Sequence, residues 1–155
     1  MSTPVLLVDG LRDFIEPLVK SYVLETNRPN LAKPPQVVTG YLPPKNPNFD
    51  APDFPFVIVR FVEGTDSDDG STAVVKIIAG TYSEDAREGW RDAANILQRV
   101  KTELLKRRVI AKKYRVELPM KIEMPEEQPF PEWIGVMTTT WAVAQPLEEV
   151  IYEQE

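Results

Sequence analysis

The chain has 155 residues, 43% hydrophobic and 27% charged, which suits one globular domain with a core of its own. It has no cysteine and no histidine, which excludes a disulfide framework and removes the commonest general base and transition-metal ligands. The net charge of −6 argues against a dedicated nucleic-acid binder. The N-terminus has no basic, apolar leader, and no stretch approaches the roughly 20 apolar residues of a membrane span, so neither secretion nor membrane insertion is expected.

Residues 1–24 are predicted to form an N-terminal helix. Apolar residues recur at helical spacing from position 7 to position 22, and Pro4 suits a first turn. Pro17 removes a backbone donor within this segment, so the helix is expected either to kink there or to consist of two short pieces.

Residues 25–55 form a proline-rich segment, with eight prolines and one plausible strand at residues 36–42. Prolines fix a backbone dihedral and cannot donate to a sheet, so the chain here is expected to be extended. It is either a long ordered surface loop or an arm that reaches a neighbouring subunit.

Residues 56–146 are predicted to form a core with the element order ββαββ. Residues 56–62 and 73–79 are apolar on both faces and flank a polar loop, which predicts a hairpin with a long tip. Residues 114–122 and 133–143 alternate in polarity and predict a second hairpin across a proline-rich connector.

The helix between these hairpins is predicted to begin near Thr81, which has Glu84 at capping-box spacing, with Ser83 as the alternative cap. Acidic residues gather in its first turns and basic residues in its last, as the helix dipole favours. Its apolar stripe must be buried, and the sheet is the large apolar partner. The residues expected to make this helix–sheet contact are Trp90, Leu97, Leu104 and Trp141.

These elements predict a single α+β domain with a four-stranded, mainly antiparallel sheet of two β-hairpins and helices packed on one face. Residues 147–155 form an acidic tail that is expected to fray.

The loop of the first hairpin carries three aspartates, Asp66, Asp68 and Asp69. An EF-hand loop would need a ligand where Gly70 stands and a glutamate at its far end, and neither is present. A solvated loop tip is therefore favoured over a calcium site, and neither a metal nor a cofactor is predicted.

Catalytic constellations are not found in the sequence, which has no Ser-His pair and no phosphate-cradling glycine loop. Adjacent carboxylates on predicted loops stay ionised in water, so they offer no raised pKa for acid catalysis. The protein is therefore predicted not to be an enzyme.

Charge is segregated along the chain. Residues 99–115 carry eight basic groups and the single acid Glu103, whereas residues 116–155 carry nine acids and one lysine. Regions of opposite charge suit head-to-tail contacts between copies, unless the basic and acidic residues neutralise each other within one subunit. A phosphate-binding patch in the basic region is disfavoured because aromatic residues are not interleaved with its basic residues. The residues expected to pair between subunits are Lys106, Arg107, Arg108, Glu126 and Glu127.

Over roughly residues 54–146 the chain resembles the tail terminator proteins of tailed bacteriophages and related phage-like particles. The likeness lies in the order and character of five segments more than in a sharp motif. They are residues 55–60 (PFVIVR), 76–82 (KIIAGTY), 89–92 (GWRD), 125–129 (PEEQP) and 133–141 (WIGVMTTTW).

This resemblance implies a structural virion protein that assembles, usually as a homohexameric ring, on the finished tail tube. The ring ends tube polymerisation and meets the head connector or a head-completion protein, while DNA passes through its bore without specific binding. The implied location is the neck of the virion, after assembly in the bacterial cytoplasm. In this chain the candidate contact loop for the tube or the lumen is Asp66, Asp68 and Asp69.

Two other functions stay open at this point. One is another neck or tail-completion adaptor, and the other is a calcium- or nucleotide-dependent regulatory module that uses residues 66–70. Residues 25–55 and the acidic tail lie outside the resemblance.

Overall fold

The computed structural model describes residues 1–44, 46 and 52–151. The remaining residues of the predicted proline-rich segment, and residues 152–155 of the predicted acidic tail, lie outside the described residues. The elements within the described part are α1 (Pro4–Val19), β1 (Leu24–Glu25), β2 (Ala32–Lys33), β3 (Gln36–Thr39), β4 (Phe56–Ser67), β5 (Gly70–Tyr82), α2 (Trp90–Arg107), β6 (Val109–Ile110), β7 (Tyr114–Glu123) and β8 (Glu132–Val143).

The main sheet has the strand order β3-β4-β5-β8-β7-β6, and β1 and β2 form a separate two-stranded sheet. The predicted α+β class is confirmed, and the predicted hairpins are β4–β5 and β7–β8. The predicted count of four strands is wrong, because the short strands β3 and β6 extend the sheet at its two edges. β3 pairs parallel to β4, so the sheet is mixed.

One face of the main sheet packs against both helices, which also contact each other. Strand register brings alternate residues of β4, β5, β8 and β7 onto this face, as the two-residue period of a strand requires. The fully buried strand residues of the core are Val57, Val59, Ala73, Val75, Ile77, Ala79, Val116, Met137 and Trp141.

Helix α1 begins where Thr3 accepts a hydrogen bond from the Leu6 amide at 3.1 Å, with Pro4 at the first helical position. It is one helix that continues for two residues past Pro17 and ends at Val19, so the predicted extent of 1–24 is too long. Five apolar residues of its stripe are buried: Leu7, Val8, Leu11, Ile15 and Val19.

Helix α2 begins at Trp90, nine residues after the predicted cap Thr81. Strand β5 continues through Tyr82 because β8 pairs with it over the whole distance. Thr81 is therefore a buried strand residue, and its hydroxyl has no hydrogen-bond partner in the described part of the chain. The turn before the helix is organised by the Asp85 carboxylate, which accepts from the amides of Arg87 and Glu88 at 3.0 and 3.1 Å.

The prediction that Trp90 packs between α2 and the sheet is wrong. Its side chain is 42% exposed and its indole N–H donates to the Arg87 carbonyl. The space at the start of α2 is filled by Trp133, whose indole lies so close to Gly89 that an added Cβ there would be 2.5 Å from its nitrogen. Leu97, Leu104 and Trp141 are fully buried, as predicted.

The outer edge of β7 is closed by Arg108, the residue that follows α2. The Arg108 guanidinium donates to the Val116 carbonyl at 3.2 and 2.9 Å, and the Val116 amide donates to the Arg108 carbonyl at 2.8 Å. Further along β7 the register shifts between Glu117 and Lys121, around Pro119, which has no N–H to offer.

Candidate assembly surface

The end of the first hairpin is the most exposed ordered part of the sheet. β3 pairs with β4 only as far as Val59, so the rest of β4 has no strand on that side among the described residues. From Phe61 to Asp69 every side chain is exposed. We call residues 61–70 the hairpin end; it is an open sheet edge, which is a ready template for protein contacts.

The turn of this hairpin is short, whereas the sequence predicts a long loop. β4 and β5 stay paired up to Ser67 and Gly70, so only two residues lie between them. The Ser67 hydroxyl accepts from the Asp69 amide and donates to the Gly70 carbonyl, both at 3.2 Å. Gly70 has a φ of +130°, a conformation that favours glycine. The acidic tip is therefore held on a defined turn.

The three predicted tip residues lie together at this turn but face different surroundings. The Asp66 carboxylate accepts a hydrogen bond from the Ser71 hydroxyl, while Asp68 and Asp69 are exposed at the turn itself. In the part of the chain that the structure describes, no three His, Cys, Asp or Glu side chains are placed to hold a metal ion. The tip presents negative charge to solvent.

An apolar groove lies beside the hairpin end. It has a volume of about 300 Å³ and lies between the start of α1, the chain after β3, and β4. The Arg60 guanidinium lies 4.1 Å from the centre of the Tyr41 ring and donates to the Gly40 carbonyl at 2.9 Å. We call this apolar groove the α1–β4 groove. Its lining includes Val5, Val8, Asp9, Tyr41, Arg60 and Phe61.

No local sequence signal points to this groove. Its residues come from three segments that are separated by about 20 to 30 positions, and a resemblance of segment order does not indicate which side chains share a surface. The exposed aromatic residues Tyr41 and Phe61 are visible in the sequence, but strand pairing is needed to bring them together.

The residues proposed for charge pairing lie at opposite ends of β7. Lys106, Arg107 and Arg108 stand at the end of α2, close to where β7 begins, whereas Glu126 and Glu127 follow the end of β7. Ten residues of strand span roughly 33 Å, so these groups do not meet within one chain. Lys106 instead reaches Glu103 at 3.4 Å, and Arg107 lies over the Phe14 ring.

Groups with displaced pKa values are scattered over the molecule. A hydrogen bond to Glu84 raises the pKa of Tyr82, with smaller contributions from burial and from Glu84, Glu25 and Glu132. Burial raises the pKa of Asp92. On β7, Lys121 and Glu123 are 2.7 Å apart, and their hydrogen bond raises the pKa of Lys121 and lowers that of Glu123.

The chain matches no protein-family model, and it matches no curated protein significantly. Neither helix in the described residues is long and apolar enough to cross a membrane. The fold itself defines an α+β domain with a mixed six-stranded sheet and both helices on one face.

Proposed function

We propose that the protein is a structural subunit of the tail terminator class, which caps a phage tail tube as a homohexameric ring. The ring ends tube polymerisation, meets the head connector, and takes its place in the neck after assembly in the host cytoplasm. The proposal extends the resemblance of residues 54–146 and assigns the protein no catalytic reaction.

The observation that carries the proposal is the hairpin end. It combines an open edge of β4, an acidic turn and an adjacent apolar groove. Exposed apolar surface next to an unpaired strand edge favours binding of another protein. The hairpin is also the element that makes ring and tube contacts in the family that this chain resembles.

The charges of the chain suit a ring through which DNA passes. A hexamer would carry a formal charge of six times −6, or −36, which opposes tight binding of phosphate groups in its bore. Asp66, Asp68 and Asp69 would face either the lumen or the tail tube. The basic end of α2 would meet Glu126 and Glu127 of a neighbouring copy, in the head-to-tail manner that closes a ring.

Native mass spectrometry of the purified protein, alone and with tail tubes, tests this proposal. We expect a hexamer of the 17.6-kDa chain, and electron micrographs should show density at one end of each tube. Tubes polymerised with the protein should stop at a narrower range of lengths than tubes polymerised without it.

A chain that stays monomeric and never caps tubes would contradict the proposal. A ring that binds the connector but leaves tube length unchanged would instead identify a neck or tail-completion adaptor. Labelled subunits located in whole particles by electron microscopy distinguish these two positions.

A further inference from the structure

The segment that follows β8 contacts the turn of the first hairpin through one side chain. The Gln145 amide donates to the Ser67 carbonyl at 3.0 Å and to the Ser71 hydroxyl at 3.1 Å, across 78 and 74 positions of the sequence. Ser67 is the last residue of β4 and Ser71 is the second residue of β5. Gln145 therefore links the two strands of the hairpin at the place where they enter the acidic turn.

This contact continues into the turn itself. The Ser71 hydroxyl accepts from Gln145 and donates to the Asp66 carboxylate, so the three side chains form one hydrogen-bonded network. Hydrogen bonds that share a group in this way strengthen one another. One acidic residue of the turn is thus held by a residue from the far end of the sequence.

The turn has little other support from the rest of the domain. From Phe61 to Asp69 every side chain is exposed, and this part of β4 has no strand on its outer side among the described residues. On the other side of the hairpin β8 ends at Val143, which pairs with Ser71, so the turn projects beyond the neighbouring strand. A two-stranded hairpin without a packed face is only marginally stable in water.

We propose that Gln145 is a positioning residue for the acidic turn. Its two hydrogen bonds hold residues 66–70 in one conformation, and without them the turn opens while the core stays folded. Opening of such an exposed segment costs less free energy than global unfolding, because it breaks few buried apolar contacts. A turn held in one conformation also binds a partner at a lower entropy cost. That consequence rests on the proposed function, whereas the positioning role does not.

Hydrogen exchange of the full-length variant Gln145→Met tests the proposal, because methionine keeps the length of the side chain and removes its amide. We expect the amides of residues 66–71 to exchange about fivefold faster or more, since two hydrogen bonds are lost. Gln145 is exposed and packs in no core, so the amides of α2 and the unfolding transition should not change. Gln98→Met is the matched control, since Gln98 is exposed on α2.

Gln145→Glu separates hydrogen bonding from shape. The glutamate has the size of glutamine and is ionised at neutral pH, so it cannot donate to the Ser67 carbonyl, and its charge lies near Asp66. We expect exchange at residues 66–71 to be at least as fast as in Gln145→Met. Exchange as slow as in the original protein would show that the amide donors are not needed, and would overturn the proposal.

Unchanged exchange at residues 66–71 in Gln145→Met, or an equal acceleration in Gln98→Met, would also overturn it. So would faster exchange throughout the chain, because Gln145 would then support the core rather than the turn. Unchanged exchange in Gln145→Met together with an original protein that caps tubes would contradict the positioning role and leave the proposed function intact. Faster exchange at the turn of a protein that never caps tubes would support the positioning role and contradict the proposed function.

Discussion

Strand β4 passes through two very different surroundings. Val57 and Val59 are fully buried under the helices, with β3 on one side and β5 on the other, whereas every residue from Phe61 onward is exposed. The change falls just past Val59, where the pairing with β3 ends. The buried half of the hairpin supplies folding energy, and its exposed half is free to bind other molecules, so substitutions in the two halves should have separable effects.

The largest loss of stability should come from the core against which the buried half packs, with Trp141→Ala on β8, whose register partner is Ala73 of β5. This indole is fully buried, and its N–H donates at 2.8 Å to the Thr139 hydroxyl, which donates at 2.7 Å to the Val75 carbonyl. Removing it leaves a cavity and disrupts this chain of hydrogen bonds, at a cost of about 3–5 kcal/mol in the free energy of unfolding. Urea denaturation followed by circular dichroism measures the change.

Trp90→Ala is the matched control for that measurement, because it removes the same ring from a site that is 42% exposed. Its cost should stay below about 1 kcal/mol. Equal costs for the two variants would mean that burial does not distinguish the two indoles, and the assignment of the core would be wrong.

An intermediate effect is expected at the closed edge of β7, with Arg108→Ala. The variant leaves the part-buried Val116 carbonyl without the two guanidinium donors, which should cost about 1–2 kcal/mol. Arg108→Lys keeps the charge but not the paired donors, and should recover only part of the loss. An unfolding free energy that does not change in Arg108→Ala would show that this edge needs no side chain to close it.

Little loss of stability is expected at the hairpin end, when Asp66, Asp68 and Asp69 are all replaced by Asn. These carboxylates are exposed, so unfolding should change by no more than about 0.5 kcal/mol, while ring formation or tube capping should be altered. Asp13→Asn with Glu16→Gln and Glu117→Gln removes the same charge elsewhere and serves as the control. If both triple variants assemble like the original protein, the acidic tip has no role in assembly.

The smallest effect concerns the exposed pair Lys121 and Glu123. The lowered pKa of Glu123 means that its contribution to stability is present above its ordinary value of 4.5 and is lost as pH falls through the folded-state pKa. The raised pKa of Lys121 places the matching loss above 10.5, as pH rises. Because solvent screens the pair, Glu123→Gln should unfold like the original protein at pH 7. A clear loss at pH 7 would show that the pair is shielded from solvent.

The sequence was sufficient where local periodicity decides the structure. The alternation in residues 133–143 and the helical spacing of Leu97 and Leu104 correctly predicted β8 and the buried side of α2. Contacts between distant residues decided the rest. Trp133 occupies the place predicted for Trp90, and Leu118, which alternates with the buried Tyr114 and Val116, is exposed because the register of β7 shifts after Glu117.

The candidate assembly surface also has one part that local sequence predicts and one part that depends on contacts between distant residues. Its acidic tip could be located from a run of polar residues between two apolar segments, since such runs lie at the ends of hairpins. The α1–β4 groove could not be located, because it depends on the parallel pairing of β3 with β4, and nothing in residues 36–39 specifies that partner.

The hydrogen bonds between Arg108 and Val116 at the outer edge of β7 also affect how the free chain can aggregate. A flat edge strand with unpaired backbone groups can pair with identical chains and start cross-β fibrils, and such pairing increases with protein concentration. With one carbonyl occupied by a guanidinium and a bulge and a proline further along, β7 is a poor seed for such growth. Concentrated solutions of the free chain are therefore expected not to nucleate cross-β fibrils on that side of the molecule.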